Sequence, residues 1–262
     1  MDYRFNAGSI PLLVSMPHVG TDIPDDIATA MAPAARDKAD TDWHLVQLYD
    51  FLQGMGASTL SARWSRYVID LNRPPENTNL YPGQDTTGLC PLDTFHREPL
   101  YLEGRQPDEA EVQRRLAAYW KPYHKQLRAE LDRLLSVHGE VVLWDAHSIA
   151  SVVPRFFEGK LPDLNFGTAD GASCDAAMTE AIAATARADH RYTVAVNGRF
   201  KGGHITRFYG KPLQGVHAIQ LEMCQSTYMD EKPPFGYRAD LASEVQPLLR
   251  QLVQAAADWV RK

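Results

Sequence analysis

Short apolar runs rich in β-branched residues alternate along this chain with segments of helical periodicity, and this alternation constrains the fold more than any other feature. We interpret the runs as buried strands, because apolar stretches bounded by turn-forming residues are typical of a sheet interior. They comprise residues 11–16, 58–62, 67–71, 141–144, 192–196 and 217–223. Strands separated by helices predict one α/β domain over residues 1–262, with a mixed, mostly parallel central sheet flanked by helices.

Four segments carry apolar residues at steps of three and four, which is the spacing of one helical face. The internal helices are predicted over residues 40–52, 108–137 and 174–190. The C-terminal helix is predicted from the apolar residues between Leu241 and Val260, and Pro247 is expected to kink it or to lie near its start.

Two stretches fit neither pattern. Residues 73–107 are dense in Pro, Gly, Asn and Thr, and residues 147–173 combine Gly and Pro with aromatic residues. Loops this long in a compact domain are usually functional or poorly ordered, and the aromatic residues would help them to pack. We expect both loops to form walls of a pocket.

Charge and cysteine content exclude several classes of function. The net charge is −6 and no run of Lys or Arg is present, so nucleic acid is not an expected partner. The three cysteines are odd in number and far apart, which argues against a disulfide framework and favours the cytoplasm. No export signal or membrane-spanning stretch is visible, and no membrane association is expected. A small molecule is the expected partner, and the oligomeric state is left open.

Polar residues follow two predicted strands at their carboxyl ends. His18 comes after the strand at residues 11–16, and Asp145 and His147 come after the strand at residues 141–144. Open α/β sheets bind ligands at this edge. Two histidines and a carboxylate suit a catalytic zinc site, which takes about three protein ligands. Either histidine taken alone is equally well explained by a structural hydrogen bond.

The third ligand of such a site is sought in the segment DKADTDWHL. Asp40 is the better N-cap candidate, because residues 41–44 would then form the first helical turn. Asp42 would be free to face the strand ends and is the preferred ligand. His44 and Asp40 stay open as alternatives, since spacing alone does not decide among them. Zinc is the expected metal, although cobalt, manganese and iron also suit two histidines and one carboxylate.

Arg66 and Arg73 flank one of the predicted strands, and Asn72 stands beside Arg73 where a substrate would lie. A guanidinium forms two parallel hydrogen bonds to a carboxylate, and the Asn72 amide can add a further donor. The structural alternative for Arg73 is a salt bridge to Asp70 or Glu76.

Glu222 lies inside an otherwise apolar predicted strand, two residues after Gln220. A buried carboxylate is costly unless it is paired or hydrogen-bonded, and partial burial raises its pKa toward the range that suits general acid–base catalysis. A structural ion pair with an arginine is the alternative interpretation.

The segment NGRFKGGHITRFYG alternates glycines with the cationic residues Arg199, Lys201, His204 and Arg207. It has neither the spacing of a Walker loop nor that of a dinucleotide-binding loop. A flexible backbone with cationic side chains can close over an anionic small molecule. A solvated hairpin fits the composition equally well.

Taken together, an ordered set of motifs resembles the N-formylglutamate amidohydrolases, also called N-formylglutamate deformylases. The motifs are SMPHVGTDIPDDI, DTDWHLVQLYDF, SRYVIDLNRP, DAHSI, LPDLNFGT, NGRFKGGHITRFYG and QLEMCQSTYMDE. The resemblance covers about residues 11–237. It implies a fold near those of the zinc carboxypeptidases and aspartoacylases, which is a mixed sheet between helices.

The resemblance implies that His18 and His147 are metal ligands, that Glu222 is the base that activates the attacking water, and that Arg66 polarises the scissile carbonyl. The related enzymes carry an HxxE motif whose Glu is a further ligand, whereas here Thr21 stands at that position. Threonine cannot replace a carboxylate, so an acidic ligand from the segment DTDW is required, and this is the place of Asp42.

The resemblance further implies that Asn72 and Arg73 hold the substrate's α-carboxylate and that Arg207 holds its side-chain carboxylate. The implied reaction is the hydrolysis of N-formyl-L-glutamate to formate and L-glutamate, late in histidine degradation. The alternatives are a metallo-deacylase or carboxypeptidase that acts on another N-acyl amino acid, and a non-enzymatic binder of acidic amino acids. Bulky side chains near the metal, with Trp43, Phe156 and Phe157 as candidates, would exclude larger acyl groups.

Overall fold

The computed structural model describes residues 2–261 of the chain. Its central sheet consists of β1 (Tyr3–Asn6), β2 (Leu12–Met16), β3 (Ser58–Ala62), β4 (Val141–Ile149), β5 (Leu164–Gly167), β6 (Val194–Val196) and β7 (Val216–Cys224). The order across the sheet is β1-β3-β2-β4-β7-β5-β6. The pairs β1-β3 and β5-β7 are antiparallel, and the other neighbouring pairs are parallel. The prediction of a mixed, mostly parallel sheet is confirmed.

The α-helices of the described range are α1 (Asp25–Ala28), α2 (Leu45–Leu48), α3 (Leu52–Met55), α4 (Glu109–Arg115), α5 (Lys121–His138), α6 (Ala176–Ala188), α7 (His204–Tyr209) and α8 (Ala239–Trp259). A π-helical segment, Leu116–Trp120, joins α4 to α5. Asp108 caps α4 by accepting a hydrogen bond from the Glu111 backbone N–H at 2.9 Å. Between residues 2 and 261, no helix has the length and apolar character needed to cross a lipid bilayer.

The alternation of side chains along β4 divides the core into two layers. Val142 and Trp144 pack with residues of α6 and α8, whereas Val141 and Leu143 pack with residues of α5 on the other face of the sheet. All four side chains are fully buried. Because the helices cover both faces of the sheet, the strands read as continuous apolar runs in the sequence.

The same alternation places the polar residues at the carboxyl end of β4. Asp145 and His147 continue the face of Val141 and Leu143 that is covered by α5. The parallel register of β4 and β7 pairs Asp145 with Gln220 and His147 with Glu222. Sheet geometry therefore brings His147 and Glu222 together, although 75 residues separate them in the chain.

The predicted strands differ from the observed ones at four places, of which the first is β1, an edge strand that we did not predict. β4 continues to Ile149, so Asp145 and His147 lie within this strand and do not follow it. Residues 67–71 form no strand, because their backbone bonds connect to turns and loops, with the Asp70 N–H donating to the Leu89 carbonyl at 2.7 Å. Strand β5 lies within a stretch that we predicted to be a loop, because its pairing with β6 and β7 defines it as a strand.

The predicted helices are confirmed in part. The segment at residues 40–52 holds only the short helix α2 and the start of α3, because His44 adopts a left-handed φ of 61° that interrupts a longer helix. Pro247 lies inside α8, in the ninth position of the helix, and not near its start.

Candidate active site

A cavity opens at the carboxyl ends of β4 and β7. It is lined by His18, His147 and Glu222 together with three arginines. Both predicted wall loops contribute to it, residues 73–107 through Tyr81, Asp85, Thr86 and Phe95, and residues 147–173 through Ser148, Ile149 and Phe156. The cavity is therefore framed by sheet residues on one side and by aromatic loop residues on the other.

His18, Asp42 and His147 form a compact buried group at this cavity. One nitrogen or carboxylate oxygen from each residue lies within 4.8 Å of the others. Oδ2 of Asp42 lies 3.0 Å from Nδ1 of His147 and 3.8 Å from Nδ1 of His18. The structure thus brings together the three residues that we predicted to be metal ligands.

The backbone fixes which acidic residue of the DTDW segment faces the histidines. The Asp42 N–H donates to the His18 carbonyl oxygen at 3.1 Å, so Asp42 is held beside the residue that follows β2. Asp40 caps no helix, and its Oδ2 accepts from the Phe95 N–H at 3.0 Å. Nε2 of His44 lies 2.7 Å from a backbone carbonyl oxygen near the C-terminal helix. Neither alternative belongs to the His18, Asp42 and His147 group.

Each histidine also contacts a second carboxylate through Nε2, the ring nitrogen that does not face Asp42. Nε2 of His18 lies 2.7 Å from Oδ1 of Asp70, and Nε2 of His147 lies 3.2 Å from Oδ2 of Asp145. The Nδ1 atoms of both rings are thereby directed toward Asp42. A carboxylate behind the imidazole is the usual arrangement of metal-binding histidines, because it fixes the ring and its tautomer.

The charges around this group favour a bound cation. Burial by itself would lower the pKa of His147, but Asp145 and Asp42 raise it well above its ordinary value. The pKa of His18 is lowered by burial and by the charge of Arg66, which favours the neutral ring with a free lone pair. Two imidazole nitrogens and one carboxylate oxygen form the donor set of catalytic zinc sites. The residues present fit one divalent ion.

Arg66 lies at the edge of the same group. Its Nη2 forms an ion pair with Oδ2 of Asp70 at 2.6 Å, and its Nη1 lies 3.3 Å from Nδ1 of His18. The guanidinium also stacks over the Phe95 ring, 4.8 Å from its centroid. Arg66 is therefore held between Asp70, His18 and Phe95 at the edge of the metal-ligand candidates.

Glu222 is buried in the cavity wall beside His147. The Gln220 amide donates to its Oε2 at 3.3 Å, and no arginine or lysine within residues 2–261 forms an ion pair with it. Burial raises the pKa of Glu222 to about 8, and the Asp42 charge contributes while His147 opposes. A carboxyl group in this range can exchange a proton near neutral pH.

Asn72 has different partners from those that the resemblance implies. Its Nδ2 donates to Oδ2 of Asp145 at 3.1 Å and lies 2.8 Å from Nε2 of His147, while its Oδ1 accepts from the Ile205 N–H at 2.8 Å. The carboxamide is thus directed into the protein, although Asn72 lines the cavity. Because both the nitrogen and the oxygen of the carboxamide have protein partners, Asn72 positions His147 and the start of α7.

Arg73 and Arg207 differ in their access to the cavity. Arg73 lines it, and its Nε and Nη2 donate to the backbone oxygen and the hydroxyl of Thr87 at 2.8 and 3.3 Å. Neither Asp70 nor Glu76 forms an ion pair with Arg73 among the ion pairs of residues 2–261. Arg207 is absent from the cavity lining, and its Nε donates to the Gly202 carbonyl at 2.8 Å.

Arg199 is a cavity residue to which our sequence analysis gave no role of its own. It lies in the Gly-rich segment eight residues before Arg207 and lines the cavity with Phe200 and Gly203. The sequence shows that several cations occupy this segment, but spacing on a loop does not reveal which of them faces inward.

The three aromatic residues proposed to limit the acyl group differ in whether they line the cavity. Phe156 lines the cavity. Trp43 stacks instead on Phe235, with the ring centroids 5.6 Å apart, and Phe157 packs against Phe200 at 6.2 Å. Of the three, Phe156 alone lines the cavity.

Comparison with known proteins identifies the family. The sequence model of the N-formylglutamate amidohydrolase family matches residues 10–229. The chain belongs to this family. It is 51% identical over 255 residues to an N-formylglutamate deformylase of Pseudomonas putida, covering 97% of this chain and 95% of that protein. A second N-formylglutamate deformylase, from Pseudomonas aeruginosa, is 50% identical, covering 98% of this chain and 97% of that one.

Solved structures agree with this membership in the N-formylglutamate amidohydrolase family. The crystal structure of N-formylglutamate amidohydrolase from Ralstonia eutropha JMP134 superimposes with a TM-score of 0.84 at 26% identity. The match covers 99% of this chain and 98% of that one. The α/β fold described above is therefore the fold of this family.

Proposed function

We propose that this chain hydrolyses N-formyl-L-glutamate to formate and L-glutamate, using one divalent metal ion held by His18, Asp42 and His147. The two deformylases that are about half identical over nearly their full lengths support the substrate. The observation that carries the mechanism is the buried group of two imidazoles and one carboxylate beside Glu222. Zinc is the expected metal.

A divalent ion at this donor set supplies Lewis-acid activation of water and of a carbonyl oxygen. Glu222 accepts a proton from the attacking water, whose oxygen bonds to the formyl carbon. Nη1 of Arg66 donates to the carbonyl oxygen, on which negative charge develops. When the C–N bond breaks, Glu222 returns the proton to the leaving amine, so that formate and L-glutamate result.

The remaining residues bind and orient the substrate. Arg73 holds the α-carboxylate, because its guanidinium reaches the cavity and has no carboxylate partner among the ion pairs of the described chain. Asn72 acts behind His147 as a positioning residue. Phe156 closes the cavity against acyl groups larger than formyl.

The setting of the reaction belongs to the same proposal. The family resemblance implies a late step of histidine degradation in the cytoplasm. The three thiols, Cys90, Cys174 and Cys224, are all free and buried, which is compatible with a reducing compartment.

An assay of the released amino acid, together with formate for the two formyl compounds, tests the proposed function. N-formyl-L-glutamate, N-acetyl-L-glutamate and N-formyl-L-aspartate are compared with and without a chelator. We expect release of formate from the first compound, at most slow cleavage of the other two, loss of activity with chelator and recovery on addition of zinc. Absence of formate release from N-formyl-L-glutamate by metal-loaded protein would refute the proposal.

A further inference from the structure

Three guanidiniums line the cavity, and they differ in their charge partners. Arg66 is neutralised by Asp70 at 2.6 Å. Arg73 and Arg199 donate only to backbone and hydroxyl oxygens, and neither has a carboxylate within 4.0 Å among residues 2–261. The cavity therefore contains two arginines without a protein counter-ion.

Asp85 is an acidic loop residue that lines the same cavity. It does not act as a counter-ion for Arg73 or Arg199. Its carboxylate is bound by Arg97 at 2.6 Å and by Arg155 at 3.1 Å. The Arg155 hydrogen bond holds the pKa of Asp85 below its usual range. Arg199 reaches only the backbone oxygen of Asp85, at 3.5 Å. On the loop side of the cavity an anionic ligand would therefore meet two cations and a neutralised carboxylate, whereas Glu222 lies in the wall formed by β7.

Three aromatic rings lie around the Arg199 guanidinium, which is partly buried. Its guanidinium carbon lies 5.5, 5.8 and 5.2 Å from the ring centroids of Tyr81, Phe156 and Phe200. Burial lowers its pKa, and Tyr81 opposes this effect while the Arg73 charge adds to it. A partly desolvated guanidinium without a counter-ion gains more from an incoming carboxylate than a solvated one does.

The loop that carries Arg199 is anchored at both ends. Asn197 follows β6, and its N–H donates to the Phe166 carbonyl at 2.7 Å while its Oδ1 accepts from the Thr168 N–H at 2.8 Å. On the other side the Tyr81 hydroxyl donates to the Gly202 carbonyl at 2.9 Å. Nε and Nη2 of Arg199 bond to backbone oxygens, whereas Nη1 has no partner among residues 2–261. One end of the guanidinium is therefore fixed and the other is available.

The substrate of the proposed function carries two carboxylates, which matches the two arginines without counter-ions. Arg73 accounts for the α-carboxylate. We propose that Arg199 binds the side-chain carboxylate and thereby sets the preference for an acidic amino acid, an assignment that rests on the proposed function. The resemblance gave this role to Arg207, which does not line the cavity. Its guanidinium packs on Tyr81, a residue of the cavity wall, 5.2 Å from the ring centroid.

The test compares N-formyl-L-glutamate with N-formyl-L-glutamine, which has the same length and shape but a neutral side chain. Wild-type enzyme, Arg199→Gln and Arg207→Gln are assayed for formate release, and kcat/KM is measured for both compounds. We expect Arg199→Gln to lower kcat/KM for N-formyl-L-glutamate by about 10- to 100-fold, the effect of one hydrogen-bonded charge pair, and to change kcat/KM for N-formyl-L-glutamine by less than about 3-fold. Arg207→Gln should keep the wild-type ratio of the two values.

Each other outcome overturns the assignment in a recognisable way. If Arg199→Gln leaves the ratio of the two kcat/KM values unchanged, or lowers both values equally, Arg199 does not recognise the side-chain charge of the substrate. Collapse of the ratio in Arg207→Gln alone would transfer the role to Arg207. Activity on N-formyl-L-glutamine shows that the Arg199→Gln protein is folded. Lack of formate release by the wild-type enzyme would instead refute the proposed function and this assignment with it.

Discussion

Nε2 of His18 lies 2.7 Å from Oδ1 of Asp70, whose side chain has no exposed surface. The same oxygen accepts from the Asn72 N–H at 2.8 Å, and the other oxygen binds Arg66 at 2.6 Å. Burial alone would raise the pKa of Asp70, but the Arg66 charge and the hydrogen bond from His18 hold it well below its usual range. One buried carboxylate thus orients the His18 imidazole, a proposed metal ligand, and the Arg66 guanidinium, which we propose contacts the substrate carbonyl.

We expect Asp70→Asn to weaken both the fold and the metal site. The substitution leaves the Arg66 guanidinium buried without its counter-ion, which typically costs about 3–5 kcal/mol of unfolding free energy. Loss of the carboxylate behind His18 should lower metal affinity by about 10- to 100-fold. Urea unfolding of the metal-free protein and competition with a chromophoric chelator measure the two effects separately.

The matched control for Asp70 is Asp132→Asn. Asp132 pairs with Arg128 at 3.4 Å on the exposed surface of α5, where side chains are 60% and 41% exposed. Such pairs contribute about 0–1 kcal/mol, so unfolding and metal affinity should both stay close to wild type. Equal effects of the two substitutions would contradict the role given to Asp70.

Asp42→Asn and Asp40→Asn should separate the metal ligand from its neighbour. Asp42→Asn removes the anionic oxygen that faces both imidazoles, and the purified protein should lose most of its bound metal. Asp40→Asn keeps an oxygen that can accept from the Phe95 N–H, so metal content should be unchanged. Metal analysis of both proteins after dialysis gives the answer, and retention of a full equivalent by Asp42→Asn would exclude Asp42 as a ligand.

Glu222→Gln should remove proton transfer and preserve the shape of the cavity. General acid–base groups contribute roughly 100- to 10,000-fold, so kcat should fall by that order. Metal content and thermal midpoint should remain near wild type, because the side chain keeps its volume and the Gln220 contact can be retained. Turnover of N-formyl-L-glutamate at the wild-type rate would remove Glu222 from the mechanism.

His124 predicts an acid dependence of stability that is independent of the active site. The ring stacks on Trp120 at 3.6 Å, its Nε2 donates to the Leu71 carbonyl at 2.8 Å, and its Nδ1 lies 2.9 Å from the Tyr209 hydroxyl. Burial lowers the pKa of His124 to about 3. Below about pH 6.5 the unfolded chain binds a proton that the folded chain does not. Stability should therefore fall between pH 6.5 and 3, by at most about 1.4 kcal/mol per pH unit from this group.

Urea unfolding of the metal-free protein at pH 7.5 and 5.0 tests this dependence. His124→Gln should show a smaller loss of unfolding free energy on acidification than wild type. His138→Gln, at the exposed end of α5, should show the wild-type loss. The same acid sensitivity in all three proteins would assign the effect to other groups.

Local pattern pointed to residues that the structure brings together at the cavity, because each lies in or beside a recognisable run. His18 follows β2, and His147 and Glu222 interrupt apolar strands, so each is conspicuous in the sequence. Local pattern failed at residues 67–71, where an apolar run is buried for packing without pairing as a strand. It also failed for β5, which is a strand because it pairs with both β6 and β7.

The sequence by itself determined the alternation of strands and helices and the residue types that can hold a metal, since periodicity and residue chemistry are local properties of the chain. Tertiary structure decided that Asp42 faces the histidines, that Asp70 serves both His18 and Arg66, and that Arg199 lines the cavity where Arg207 does not. Those outcomes depend on which backbone and side-chain groups meet across long stretches of chain. Hydrogen bonding and burial in the folded protein select the neighbours of each charged group, and no spacing along the sequence encodes that choice.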